Sequence, residues 1–340
     1  MATAELAPDA THADDHGHDH PEWLAHHFES PEQQFDAGKL GIWLFLAQEV
    51  LFFSGLFVAY TVYRANNPEV FTEAHHFLNP VLGAVNTIVL LASSLAVAWG
   101  VRAAQKNNQS TLFWVHIFTM ACAGAFMGVK TVEYSYKFDE GLYWAGAFEG
   151  VKHLTPGVGF HSYLYATFWA TLGIGGAVAA AGWCLRQTTA FWGAIVFATG
   201  VTIASVGLGI VVAVGIQEIQ HDQAAHGDAH ADAHGGAAHA TDSHDDGHHG
   251  EDSHAEAPTA TPTPQIGVNA GNFFSIYFAM TGVHALHIFA GMIVFLWIIG
   301  RIARGDFGPE RYGPVEYVGL YWHLVDLVWI YLFPLLYLIK

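Results

Sequence analysis

The sequence predicts an all-α fold, a polytopic membrane bundle of about seven transmembrane helices, and three observations carry that prediction. Seven predominantly apolar runs, at roughly 40–63, 79–101, 111–135, 162–185, 189–217, 272–303 and 317–339, are each long enough for a helix to cross a bilayer, which takes about 20 residues. Of the 340 residues 52% are hydrophobic and only 12 are Lys or Arg, a balance foreign to ordinary soluble domains. The formal net charge of −18 sits mostly outside the runs, since 19 of the 30 carboxylates fall within residues 1–36 and 218–256. So few basic residues leave no expectation of a nucleic-acid partner.

In chain order, residues 1–38 form an acidic tail bearing His12, His16, His18, His20, His26 and His27. Such a composition buries too little apolar surface to offset ordering entropy, so the tail is expected to be disordered. It lacks the positive start and short apolar core of a cleaved signal, and the first helix is expected to insert uncleaved. Residues 39–149 hold the first three runs. Residues 150–220 hold the fourth and fifth, dense in small residues such as Gly173, Gly175, Gly176, Gly200, Gly207, Gly209 and Gly215. Small residues let helix backbones approach closely inside a membrane, where no hydrophobic drive holds helices together. Residues 221–268 read as a His/Asp-rich, low-complexity loop with a Pro/Thr end and no Lys or Arg. Residues 269–340 hold the sixth and seventh runs, with Gly282, Ala285, Ala290 and Gly291 in the sixth. Cys122 and Cys184 lie singly in apolar runs and are expected to be buried small hydrophobes without disulfide or zinc chemistry.

Seven of the twelve basic residues, among them Lys39, Arg186 and Arg304, fall on the N-terminal side of the membrane if all seven runs cross it. Basic residues favour the inside, so the N-terminus is expected inside and the C-terminus outside, in a bacterial-type inner (plasma) membrane. The His-rich loop then lies outside and could loosely hold copper or zinc. Imidazoles titrate near pH 6.5, at about mid-range for cells, so the N-terminal tail could gather protons.

Several polar groups interrupt the apolar runs. Glu49, in IWLFLAQEVLFFSGLFVAY, would cost roughly 2.5–3.5 kcal/mol at mid-bilayer and should face protein or water. Phe45, Phe52, Phe53 and Leu56 share its helical face and are expected to surround it. It serves either as a neutral, hydrogen-bonded tie between helices or in a proton-linked role. Glu133 lies near the outer end of the third run, where Lys130, three residues back, could pair with it. His284 and His287 share one face of the sixth run, and His323 and Asp326 share one face of the seventh, flanked by Tyr321, Trp322 and Trp329. One reading makes each an interhelical hydrogen-bond group; haem or copper ligation is the sharper alternative, but no second matching set of ligands can be assigned.

Taken together and in order, GIWLFLAQEVLFFSGLFVAY, LNPVLGAVNTIVLLASSLAVAWG, MGVKTVEYSY, FFSIYFAMTGVHALHIFAGM and GLYWHLVDLVWIYLFPLLYL resemble five successive helices of the cytochrome c oxidase subunit III family of haem–copper oxidases. The Gly-x-His-x-x-His and aromatic-His-x-x-Asp patterns are the most specific. The resemblance implies a subunit that binds no haem, copper or other metal itself, these belonging to partner subunits. It implies packing against subunits I and II, phospholipids between its helices, and support of proton uptake and sustained turnover in aerobic respiration. By the same resemblance Glu49 corresponds to the family's carbodiimide-reactive acid, and Glu133, His284, His287, His323 and Asp326 to its other intramembrane polar positions.

Two departures accompany it. The family's first two helices have no counterpart ahead of the Glu49 helix, and an insertion of about 120 residues, from near Gly150 to near Val268, adds two helices and the His-rich loop. The electron donor stays open between cytochrome c and quinol, as does a nitric-oxide-reductase accessory role. A metal-ion transporter would place paired His/Asp sets on two facing helices, and only His323 and Asp326 supply half of one. A b-type haem carrier would draw its axial ligands from His116, His161, His284 or His287.

Overall fold

The computed structural model describes residues 24–144, 158–235 and 270–339, the side chains at 158–162 and 221–235 excepted. Ser30 starts the first helix: its hydroxyl accepts from the Gln33 N–H at 3.2 Å, Pro31 occupies the first turn, and α1 runs Pro31–Asn66. The tail expected to be disordered through residue 38 is therefore helical from Pro31. Its remainder up to residue 23 lies outside the described residues, whereas His26 and His27 are exposed. A short helix α2, Pro68–Ala74, and one 3₁₀ turn, His75–Phe77, follow without any counterpart among the apolar runs.

Asn79 then caps α3, Pro80–Gln105, accepting from Val81 N–H at 3.0 Å and Leu82 N–H at 3.3 Å. A tight turn with Asn107 at φ 55° leads to Asn108, which caps α4, Gln109–Asp139. The inserted pair forms a hairpin of α5, Val158–Leu185, and α6, Ala190–Gly235. The last two helices are α7, Ala270–Ala303, and α8, Gly313–Tyr337. Seven of these helices are long and apolar enough to cross a membrane. The apolar part of α6 ends at Gln220, and the helix continues to Gly235 where a loop is expected from residue 221. Residues 236–268 of that His-rich segment lie outside the described residues.

Helices α3, α4, α7 and α8 pack as a ring of four, with α1 leaning on α8 and α7, α6 on α4 and α7, and α5 chiefly on α6. Small residues make the α4–α6–α5 layer possible. A Cβ on Gly200 would stand 2.2 Å from the Ala179 nitrogen, and one on Gly209 would stand 2.1 Å from the Ala125 carbonyl oxygen. Not every small residue serves this end, because Gly173, Gly176, Gly215 and Gly282 face open space. Tryptophans join α8 to α3: Trp322 Nε1 donates to Ser93 Oγ at 3.0 Å and Trp329 Nε1 to Thr87 Oγ1 at 3.1 Å. Each large ring thus buries its apolar body while its N–H finds an acceptor. Both cysteines are free; Cys122 is buried, but Cys184, expected to be buried, is exposed on α5.

Candidate functional site

Two turns of α4 place Lys130, Glu133 and Lys137 on the same face, at the end of the bundle where α7 starts and α8 finishes. Lys130 Nζ lies 2.8 Å from Glu133 Oε2 and Lys137 Nζ 3.4 Å from Oε1. Tyr277 of α7 donates to Oε1 at 2.7 Å, and Tyr337 of α8 donates to the same oxygen. Lys130 also donates to Tyr337 Oη at 2.6 Å and sits 4.6 Å above the Trp329 ring. All three charged residues are buried. A buried ion is tolerable only when fully paired and hydrogen-bonded, and here one carboxylate collects two ammonium groups and two phenols from three helices. The spacing of the sequence points to Lys130 alone. Tyr277 and Tyr337 arrive from helices more than 140 residues away, and no local pattern announces them.

Glu49 occupies the other side of the ring, on the face of α1 that meets α7. Its Oε2 is 3.0 Å from His287 Nε2, while His287 Nδ1 is 2.8 Å from the Val283 carbonyl oxygen. A carbonyl only accepts, so Nδ1 carries a hydrogen. The contact with Glu49 then requires one further proton between Nε2 and Oε2, whether it rests on the acid or on the ring. Tyr321 of α8 donates to the His287 carbonyl at 2.9 Å, which fixes this turn of α7. Of the four apolar side chains expected around Glu49, Phe53 is buried and packs 5.0 Å from the His287 ring, and Leu56 is partly buried. Phe45 and Phe52 are exposed on one side while their rings lie 5.9 Å from that of Tyr321 and 6.0 Å from that of His287, because α1 contacts the bundle along a narrow stripe. Glu49 accordingly lies at a helix seam with 14% of its side chain exposed, and of the three phenylalanines only Phe53 is buried.

The two histidines of α7 have different surroundings. His284 is fully buried between the Phe126 ring at 5.6 Å and the Trp329 ring at 5.3 Å, and neither ring nitrogen has a hydrogen-bond partner among the described residues. On α8, His323 Nδ1 pairs with Ser94 Oγ of α3, whereas Asp326 is buried with neither oxygen in a hydrogen bond of good geometry. Asn86 of α3, next to the Thr87 that holds Trp329, is likewise buried and unpartnered. Among the described residues α3 and α7 therefore each contribute one buried polar side chain without a partner, and α8 contributes Asp326 with Ser94 as its polar neighbour, all next to or within one turn of the Trp329 contacts. Asn86 carried no signal in the sequence beyond a polar residue in an apolar run. Among the described residues no three His, Cys, Asp or Glu side chains gather as a metal-ion set.

These groups lie on helices in the order that the sequence resemblance requires. The family model for cytochrome c oxidase subunit III matches residues 25–162 and 263–340, more than half of the chain. The chain belongs to the cytochrome c oxidase subunit III family. Glu49, Glu133, His284, His287, His323 and Asp326 all fall inside the matched residues of this subunit III, and nearly all of the α5–α6 hairpin falls outside them. The cytochrome c oxidase subunit 3 of Thermostichus vulcanus is 38% identical over 74 residues, 22% of this chain and 37% of that protein. The haem–copper oxidase subunit I+III of Aeropyrum pernix is 35% identical over 75 residues, 22% of this chain and 9% of that protein. A probable cytochrome c oxidase subunit 3 of Mycobacterium leprae is 38% identical over 66 residues, 19% of this chain and 33% of that protein. The matched stretch thus spans little more than a third of the length of these relatives at most.

Proposed function

We propose that this subunit III is the non-redox integral membrane subunit of an aerobic haem–copper terminal oxidase, a cytochrome c oxidase that reduces oxygen to water. In this reading it packs against subunits I and II, whose haem and copper carry the chemistry, and it binds no cofactor of its own beyond phospholipid. It steadies the catalytic subunit and supports proton uptake or oxygen access during turnover. It sits in a plasma membrane with its N-terminus inside and its C-terminus outside. Family membership supports the role, and the name of the Aeropyrum pernix relative, a subunit I+III, supports the partnership with subunit I.

The observation that carries the proton-linked part is the half-buried Glu49–His287 pair. It holds one exchangeable proton at the seam of a helix whose outer face is strongly apolar, with Leu44 65% and Leu51 74% exposed. Such a face suits a partner helix or lipid, and the pair stands beside it. The test is affinity purification of the tagged chain from membranes. Haem-bearing partners are expected to co-purify, and the assembly carrying Glu49→Gln is expected to lose activity faster during turnover than wild type. Recovery of the chain without any haem-bearing partner would overturn the reading.

A further inference from the structure

Where α5 turns into α6, Gly193 lies so close to the preceding turn that a Cβ would stand 2.2 Å from the Arg186 nitrogen, which pins Arg186 at the membrane end shared with the start of α4. Its guanidinium lies 4.2 Å from the Phe113 ring centre and 5.7 Å from that of Trp183, and it has no carboxylate partner among the described residues. Arg304, at the end of α7, lies 4.5 Å from the Phe191 ring centre. It shares Asp306 with Arg301, at 3.2 and 2.7 Å. Asp306 thus serves Arg301 and Arg304, with Arg311 also within its field, and Arg186 adds a further guanidinium to this corner.

Arg186 and Arg304 line one cavity of about 420 Å³ together with Gln109, Ser110 and Trp114. Gln109 and Ser110 open α4, so the positive end of that helix dipole adds to the field. A second, open groove of about 320 Å³ adjoins it, sharing Ser110 and Trp114 as lining and bounded further by Trp99, Val115 and Phe118. That groove runs along the apolar outer surface, where Trp99, Trp114 and Phe118 are exposed.

We infer that this corner binds an anionic phospholipid, its phosphate held by Arg186 and Arg304 and an acyl chain lying in the α3–α4 groove beyond Trp114. Guanidinium forks match phosphate oxygens, and tryptophan favours the headgroup level of a bilayer. The charge of the cavity selects the headgroup, and the exposed apolar groove that shares its Ser110 and Trp114 wall selects a lipid over a free anion. Arg186 lies outside the residues that match the subunit III family, so this site is a contribution of the inserted hairpin. The inference rests on the membrane-spanning fold alone and stands or falls separately from the oxidase role.

The test is native mass spectrometry of the delipidated full-length chain, with phosphatidylglycerol or phosphatidylcholine added at equal concentration. Phosphatidylglycerol is expected to be retained over phosphatidylcholine. Arg186→Gln is expected to lower its retention roughly fivefold, the weight of one cation at a lipid surface. Arg186→Lys should keep most of it, and Lys39→Gln, at the distant α1–α8 ion pair, should change nothing. If Arg186→Gln fails to fold, Arg304→Gln gives the same comparison. Equal retention of the two lipids, or retention unmoved by either arginine substitution in folded protein, would overturn the site. Displacement of phosphatidylglycerol by millimolar inorganic phosphate would assign the cavity to a free anion and overturn the lipid assignment.

Discussion

Glu49 and His287 share one proton across 3.0 Å, and the Val283 carbonyl dictates this by holding the other ring nitrogen as a donor. Glu49→Gln replaces the acid by an amide whose N–H can donate to the neutral ring, so the α1–α7 bridge survives without an exchangeable proton. Its thermal midpoint should fall by no more than about 1 kcal/mol of stability, whereas Glu49→Leu strands a half-buried imidazole nitrogen at a cost of about 1–3 kcal/mol. Carbodiimide labelling should vanish in both variants. Thermal unfolding in detergent and labelled-peptide mass spectrometry read the two effects; labelling of Glu49→Gln at the wild-type level would place the reactive carboxyl elsewhere.

The Glu133 cluster predicts a larger loss. Glu133→Gln leaves Lys130 and Lys137 buried with no counter-ion among the described cluster, the situation in which breaking an interior pair costs about 3–5 kcal/mol. The double variant Glu133→Gln with Lys137→Met removes one of the stranded charges and should recover part of that loss. Both are read as folded yield and thermal midpoint in detergent. A double variant no more stable than the single one would show that Lys137 is not coupled to Glu133.

The long spans were legible because about 20 apolar residues in a row have few alternatives to a membrane helix. Lys130 and Glu133 were legible as a pair because three residues apart is one turn. The partners that complete the sites come from other helices: Tyr277 and Tyr337 for Glu133, His287 for Glu49, Ser94 for His323. Helix packing sets those meetings, and local spacing carries no record of it. Two boundaries were missed for a different reason. Ser30 followed by Pro31 and Gln33 is a helix start, and Gln33 Oε1 indeed accepts from the Glu29 N–H at 2.7 Å, but charge density drew the tail boundary later. Beyond Gln220, the alanines at 224, 225, 229, 231 and 233 favour helix, and the His/Asp content obscured them.

Asp326 separates structural from functional demand. It is buried in the ring of four helices with Ser94 of α3 as a polar neighbour but no hydrogen bond of good geometry, so it is expected to contribute little to holding α8 in place. An apolar residue of similar size removes the unsatisfied group, and such replacements are close to neutral or stabilising. Asp326→Leu is therefore expected to hold or raise the thermal midpoint of the isolated chain. A drop of about 2 kcal/mol or more would mean that the carboxyl is paired after all. If assembly or turnover suffers while the isolated chain stays stable, the acid is retained for its work in the complex.

The inserted hairpin depends on backbone contact more than on side chains. At Gly200 a Cβ would lie 2.2 Å from the Ala179 nitrogen and 2.7 Å from the Gly175 carbonyl oxygen, so no rotamer change can relieve Gly200→Val. The α5–α6 separation must widen, and the two helices lose the dispersion contacts that hold them together where no hydrophobic drive exists. The ring of α3, α4, α7 and α8 does not pass through this contact. Gly200→Val is therefore expected to raise protease cleavage in the α5–α6 turn near Thr188 severalfold while leaving the Trp322 and Trp329 fluorescence of the ring unshifted. Gly173→Val, at a glycine that faces open space on the same hairpin, should leave both readouts at wild-type values. Equal sensitivity of the two variants would show that residue size anywhere on the hairpin matters, and that the Gly200–Ala179 approach does not hold it closed.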